Sequence, residues 1–256
     1  MSKKYIVITV SVLLVVIGGY FFVHQDSSQQ AAITKIASTT QNQIDGYTTS
    51  TREQLQQELK TRSLTNAETG TEISHRNLSF ATPWGEPTAT EPRGRMTVFS
   101  FTNGNSILVR RKEAGSPQQA LKRIDSDLPN GNQPSLTLFA DKLGKGFSGY
   151  EFINYILSVN PGDISASNTA KEARRKSYAL SLRAVMIPQG QPFKFEDGSK
   201  KGFIFSGNTT EQIWVWINGK QHSLVFDEGV SKSAVDTVIQ TLQLKNSQQN
   251  ADYFTE

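Results

Sequence analysis

The chain of 256 residues contains no cysteine and only three histidines. The absence of cysteine excludes disulfide bridges, thiol nucleophiles, thiolate metal sites and lipid attachment through a cysteine. The small number of histidines and the absence of thiolates also argue against a zinc site. We therefore predict no bound metal.

The net positive charge is also small outside the first few residues. The formal net charge is +4, and residues 1–23 contribute Lys3 and Lys4 with no acidic residue, so the remaining chain has a net charge of only +2. A nucleic-acid-binding surface normally carries a larger and clustered excess of Lys and Arg. We predict that nucleic acid is not a partner.

One long hydrophobic run stands out against this ordinary composition. Residues Tyr5 to Val23 carry no charge. At about 1.5 Å per residue, the run is about 28 Å long, which matches the hydrocarbon core of a bilayer. Lys3 and Lys4 precede it and the next cation is Lys35. This bias predicts a cytoplasmic N-terminus and an extracytoplasmic C-terminal domain, in a bacterial inner membrane facing the periplasm.

The alternative to an anchor is a cleaved secretory signal. Such a signal has a shorter apolar core and small residues before the cleavage site. The run instead ends on bulky residues, Tyr20 to Val23, and no pattern of small residues follows closely. An uncleaved signal-anchor over residues 5–23, with a cytoplasmic tail of residues 1–4, is the favoured interpretation.

Residues 24–72 are rich in Gln, Thr and Ser, with apolar positions partly at three- and four-residue intervals. This pattern predicts a polar, partly helical stalk, and a short coiled coil is an alternative. A soluble domain is predicted over residues 73–245 and a flexible tail over residues 246–256.

Turn and capping signals divide the soluble domain into short elements. Asn103-Gly104 predicts a hairpin, and Ser148 with Glu151 forms a capping box before a helix. Residues 136–139 suggest a strand. Residues 165–187 fit a helix followed by a strand slightly better than one continuous helix.

The last third has a clearer pattern. Four short apolar runs are separated by Asp197-Gly198, Gly207-Asn208 and Asn218-Gly219, and a helix begins near Ser231–Ser233. This spacing predicts an antiparallel meander followed by a helix with one apolar face. The predicted class is α+β, with an antiparallel β-meander sheet covered by helices.

Three motifs resemble functional sites but lack essential parts. Gly144, Gly146 and Gly149 match a dinucleotide fingerprint, yet they do not follow a strand directly. Ser148 stands in a displaced version of a hydrolase elbow, and a catalytic triad would need His75 or His222, the latter with Asp227 nearby as the orienting acid. The segment from Asp125 departs from a calcium loop, because its glycine comes late and Leu136 replaces the bidentate Glu. We predict no cofactor.

Two groups of side chains are candidates for an interaction surface. Trp214 and Trp216 point to one face of the predicted meander, where they either pack in a three-layer core or line an open groove. Lys171, Arg174, Arg175 and Lys176 form a basic group, which is either a solvated helix face or a contact for anionic lipid or an acidic partner.

These observations favour a membrane-anchored, non-enzymatic binding or assembly module of the cell envelope. Its expected partners are the membrane and another envelope protein. An anchored hydrolase with an unrecognised Ser, Asp or Glu site is the alternative from a different class, and a small-ligand-binding domain is a third.

Overall fold

The computed structural model describes residues 29–75, 78–93, 96–111, 117–126, 134–207, 210–227 and 229–244. The predicted anchor, residues 5–23, and the predicted tail, residues 246–256, lie outside these ranges. Within them, no helix combines the length and the apolar character needed to span a membrane. The described residues form helices and a mostly antiparallel sheet, so the α+β class is confirmed.

The chain divides into two compact units, each made of two separate stretches of sequence. The first comprises residues 1–59 and 114–189, and the second comprises residues 60–113 and 190–256. We call them the helical unit and the sheet unit. Residues 114–189, with four of the helices, are thus inserted into the sequence of the sheet unit.

The helical unit contains six α-helices among its described residues. They are α1 (Gln29–Asp45), α2 (Thr49–Gln56), α3 (Pro117–Ser126), α4 (Pro134–Leu143), α5 (Gly149–Ser158) and α6 (Ala170–Met186), with a 3-10 turn at Pro161–Asp163.

Polar caps define where two of these helices begin. The Ser148 hydroxyl accepts a hydrogen bond from the Glu151 N–H at 3.2 Å, and the Glu151 carboxylate accepts one from the Ser148 N–H at 2.6 Å. This is the predicted capping box. The Thr169 hydroxyl accepts from the Glu172 N–H at 3.1 Å and starts α6. Each cap satisfies N–H groups that have no partner within the helix.

Two predictions in this region are wrong. Residues 165–187 do not form a helix followed by a strand, because α6 continues to Met186. Residues 136–139 are not a strand but part of α4. In both segments short apolar runs fit either period, and burial against neighbouring helices decides for the helix.

The predicted stalk is also placed differently. Its residues 29–59 belong to the helical unit, where α1 packs along α6. Ile33 and Ile44 are 2% and 4% exposed, and the hydroxyls of Thr40 and Ser177 are 2.7 Å apart. The folded part of the chain therefore begins well before residue 73.

The sheet unit has eleven strands among its described residues. They are β1 (Lys60–Thr61), β2 (Thr71–His75), β3 (Leu78–Thr82), β4 (Ala89–Arg93), β5 (Met96–Ser100), β6 (Ser106–Arg111), β7 (Gln191–Asp197), β8 (Lys200–Ser206), β9 (Glu211–Ile217), β10 (Lys220–Phe226) and β11 (Gln243–Leu244). One helix, α7 (Lys232–Thr241), lies between β10 and β11.

The predicted meander forms the centre of a larger sheet. Its order is β1-β7-β8-β9-β10-β6-β5-β4, and a second sheet has the order β11-β3-β2. All neighbours are antiparallel except β1 and β7. Asn218 and Gly219 have φ of 51° and 76°, as the tight turn between β9 and β10 requires. The sequence did not predict that β6 pairs with β10.

The core of the sheet unit lies between α7 and one face of the large sheet. Val235, Val238 and Ile239 of α7 are fully buried, and they pack in one cluster with Ile213 and Val215 of β9. The predicted helix with one apolar face therefore covers this side of the meander. Burial of such side chains is the main favourable contribution to folding.

Replacing Gly202 by alanine is expected to destabilise the sheet unit by about 2 kcal/mol. A Cβ atom built on Gly202 would come within 2.1 Å of the Trp214 backbone oxygen on β9 and within 2.8 Å of the ring of Phe195, which lies opposite on β7. That ring is fully buried and has no space to withdraw. Urea unfolding followed by tryptophan fluorescence measures the loss. The control Gly219→Asn should cost far less, because open space surrounds Gly219 and Asn tolerates positive φ.

Candidate interaction surface

The predicted tryptophan pair lies on the face of the sheet opposite α7. Trp214 packs edge-to-face on Phe205 with ring centroids 5.1 Å apart, and Trp216 packs in the same way on Phe203 at 5.9 Å. Trp214 and Trp216 are 6% and 4% exposed. The four rings are all buried, and we call them the aromatic layer.

The predicted basic group lies at the start of α6, and two of its lysines have partners. The Lys171 ammonium forms an ion pair with Asp141 of α4. Lys176 Nζ lies 2.9 Å from the Glu172 carboxylate and donates to the Asp163 carbonyl at 3.0 Å. Because the Lys176 side chain is only 17% exposed, its charge is mostly used within the fold.

The two arginines of the group differ in exposure. Arg175 Nε donates to the Tyr155 hydroxyl at 3.1 Å, and its guanidinium lies 5.9 Å from the Tyr155 ring centroid. This contact combines a hydrogen bond with a cation–π interaction. Arg174 is exposed. Of the four predicted residues, Lys171 and Arg174 are therefore the most accessible to a partner.

Lys176 lowers the pKa of the neighbouring carboxyl group of Glu172. The hydrogen bond from Lys176 and that from the Asn168 N–H hold the pKa of Glu172 below its ordinary value. Glu172 is thus ionised throughout the neutral range. It also lies in the first turn of α6, where a negative charge interacts favourably with the helix dipole.

Comparison with protein-family models, curated proteins and solved structures finds no match to this chain. Trp214 and Trp216 belong to the sheet unit, and the basic group belongs to the helical unit.

The residues of the resembling motifs have structural roles. Gly144, with φ of 90°, ends α4 by donating its N–H to the Ala140 carbonyl at 2.9 Å. A helix, and not a strand, precedes this glycine loop, so it does not match the dinucleotide fingerprint. The Ser148 hydroxyl caps α5. The Asp227 carboxylate accepts a hydrogen bond from Ser106 of β6.

The segment that resembles a calcium loop begins in one helix and ends in the next. Asp125 falls in the last turn of α3, and Leu136 falls inside α4. Residues 127–133 between these helices lie outside the described residues. In the ranges that the structure describes, no group of three or more potential ligand residues is arranged to hold a metal ion.

A fully buried cation, Arg183 of α6, was not predicted from the sequence. Its guanidinium donates to the carbonyls of Leu157 and Val159, at 3.4 and 3.0 Å, and to that of Gln54 at 2.8 Å. It also bonds the Gln57 carbonyl. Burial lowers the pKa of Arg183 to about 10, so the group remains protonated at neutral pH.

The four carbonyls of this site lie at the C-terminal ends of α2 and α5. Helix C-termini carry unpaired carbonyls and partial negative charge. The guanidinium compensates both, and it joins the ends of two helices to a third. The signal in the sequence was that Arg183 is the only charged residue in the mostly apolar stretch from Tyr178 to Ile187. Interpreting this stretch as a strand placed Arg183 at the surface.

A buried ion pair in the sheet unit was also not predicted from the sequence. Arg62, which follows β1, forms an ion pair with Asp236 of α7, and their side chains are 5% and 0% exposed. The other Asp236 oxygen accepts from the N–H and the hydroxyl of Thr65, at 3.0 and 2.9 Å. Asp236 thereby fixes the chain after β1 onto α7.

Proposed function

We propose that the chain is a membrane-anchored, non-enzymatic binding or assembly module of the cell envelope. The observation that carries the anchoring is the charge-free run from Tyr5 to Val23, preceded by Lys3 and Lys4. Its length and flanking charges suit a signal-anchor with the folded units outside the cytoplasm.

The described polar groups support binding over catalysis. The Ser148 hydroxyl caps a helix, and Asp227 accepts a hydrogen bond from Ser106. The buried ions Arg183 and Asp236 are held by hydrogen bonds inside their units. Each of these polar groups is therefore held in a hydrogen bond that stabilises the fold. The exposed side chains are the ones available for recognition.

Exposed side chains of α6 are the accessible part of the proposed interaction surface. Arg174 is exposed near its start, and Val185 and Met186 are 47% and 36% exposed near its end. Large apolar side chains in water are suited to a partner that covers them. The buried pair Trp214 and Trp216 would contribute directly only where a partner reaches the aromatic layer.

Two measurements on cells expressing the full chain test this function. Alkaline carbonate washing of the membranes should leave the protein in the pellet, and added protease should digest the units only from the extracytoplasmic side. Photocrosslinking from positions Val185 and Met186 should give a discrete protein adduct, whereas the buried position Trp214 should give little. Release by carbonate would contradict the anchor, and absence of adducts at both exposed positions would contradict the protein-binding role.

A further inference from the structure

The first residues of α1 and α6 lie side by side in the helical unit. The Gln29 side-chain carbonyl accepts a hydrogen bond from the Ala170 N–H at 2.9 Å. Farther along the two helices, the hydroxyls of Thr40 and Ser177 are 2.7 Å apart. The helices therefore run in the same direction from a common end, which we call the Gln29 end.

The Gln29 end is close to the proposed anchor along the chain. Gln29 follows Val23 by six residues. Whatever their conformation, six residues span at most about 20 Å. Because Ala170 is hydrogen-bonded to Gln29, the start of α6 is held at about the same distance from the end of the anchor. The opposite end of α1, at Asp45, carries no such constraint.

Exposed cations are concentrated near the Gln29 end. Lys171 and Arg174 lie in the first two turns of α6, and Lys35 lies in the second turn of α1. The ion pair between Lys171 and Asp141 brings the C-terminal end of α4 to the same place. That end and the loop after it carry two further exposed lysines, Lys142 and Lys145.

We propose that the Gln29 end of the helical unit contacts the anionic phospholipid headgroups of the membrane that holds the anchor. This inference rests on the anchoring in the proposed function and adds a second contact between the protein and the lipid. Long Lys and Arg side chains extend toward the surface, and attraction acts over about 8 to 10 Å at physiological salt. Each cation near an anionic bilayer contributes roughly fivefold to surface association.

The contact would orient the unit as well as bind it. An anchor with a short connection limits the distance from the membrane but leaves the unit free to tilt. Attraction at one end removes that freedom and directs the far end of α6, with Val185 and Met186, away from the lipid. The apolar pair is then presented to partners outside the membrane.

A fluorescence experiment on the full chain in nanodiscs tests this contact. Since the chain has no cysteine, a single Asn168→Cys substitution places one dye on the exposed residue before the α6 cap. An Asn42→Cys dye, near the other end of α1, is the matched control. Quenching by a headgroup-labelled nitroxide lipid reports the proximity of each dye to the surface.

Phosphatidylglycerol in the bilayer should increase quenching at position 168, compared with phosphatidylcholine alone, and position 42 should change little. The double variant K171Q/R174Q should weaken surface association by roughly 30-fold and return quenching to the phosphatidylcholine level, as should high salt. The variant R52Q/K122Q removes the same charge elsewhere in the helical unit and should retain the effect. Far-UV circular dichroism verifies that both variants are folded.

Equal quenching at position 168 in both bilayers, or no response to K171Q/R174Q, would overturn the contact while leaving the anchor intact. A carbonate wash of the same nanodisc preparation tests the anchor separately. If the protein is released, sedimentation with phosphatidylglycerol vesicles still decides whether the cations bind lipid. Failure of the anchor and failure of the contact are therefore distinguishable.

Discussion

Replacement of Arg183 by methionine is expected to lower the free energy of unfolding of the helical unit by about 3 to 5 kcal/mol. Methionine fills much of the volume of the aliphatic stem, so the loss comes mainly from the carbonyls of Gln54, Leu157 and Val159. These acceptors would remain buried without the donor that now satisfies them. The ends of α2 and α5 should loosen first.

Lysine at the same position separates charge from geometry. It keeps a cation, but one ammonium group cannot serve carbonyls on two helix ends as a planar guanidinium does. We expect Arg183→Lys to lose about 2 kcal/mol, and the exposed control Arg174→Met to change stability by less than about 0.5 kcal/mol. A stability of Arg183→Met close to that of the parent would contradict the structural role assigned to the guanidinium.

The distribution of aromatic residues makes the two units separately observable. All three tryptophans, Trp84, Trp214 and Trp216, lie in the sheet unit, while most described helical residues lie in the helical unit. Denaturation of the full chain in detergent can thus be followed by far-UV circular dichroism for the helices and by tryptophan fluorescence for the sheet. Arg183→Met should shift mainly the dichroism transition.

The second large effect is expected for Asp236→Asn in the sheet unit, about 3 kcal/mol of lost stability. The substitution keeps the shape of the side chain but removes the charge closest to the buried Arg62 guanidinium, which then has only the Glu211 carboxylate, at 3.8 Å, as an ionic partner. Asn also has only one side-chain oxygen, so it can accept from the Thr65 N–H in only one orientation of its amide. Tryptophan fluorescence during urea unfolding measures this change.

A double-mutant cycle measures the interaction free energy between Arg62 and Asp236. Arg62→Met alone should destabilise the unit, because it removes the partner of a carboxylate that is 0% exposed. The combination of Arg62→Met with Asp236→Leu should cost less than the sum of the single losses, since neither charge is then left unpaired. Strict additivity would show that the two side chains do not stabilise each other.

Local signals in the sequence predicted local structure well. The Ser148 cap, the Asn103-Gly104 hairpin and the Asn218-Gly219 turn are all confirmed. Each depends on the conformational preferences of a few adjacent residues, which hold in any tertiary context. The meander and its α7 cover followed from these turns and from apolar periodicity.

The errors arose where distant residues decide the outcome. An apolar run such as Leu180-Ser181-Leu182 fits a strand or a buried helix, and only packing against α1, α2 and α5 selects the helix. The partners of Arg183 and Arg62 are separated from them by many residues, up to 174 for Asp236. Within the basic group, sequence spacing did not indicate that Lys176 and Arg175 contact Glu172 and Tyr155.

The pairing of β6 with β10 has a consequence for biosynthesis. Arg111 ends β6 and Lys220 begins β10, so about 110 residues separate the two partners. At about 5 to 20 residues per second, the edge of β6 would wait roughly 5 to 20 s for its neighbour to be translated. Unpaired strand edges recruit other strands, while the intervening helices depend on nearer contacts. A chaperone that shields the nascent β5–β6 hairpin until the C-terminal strands emerge should therefore raise the yield of folded protein.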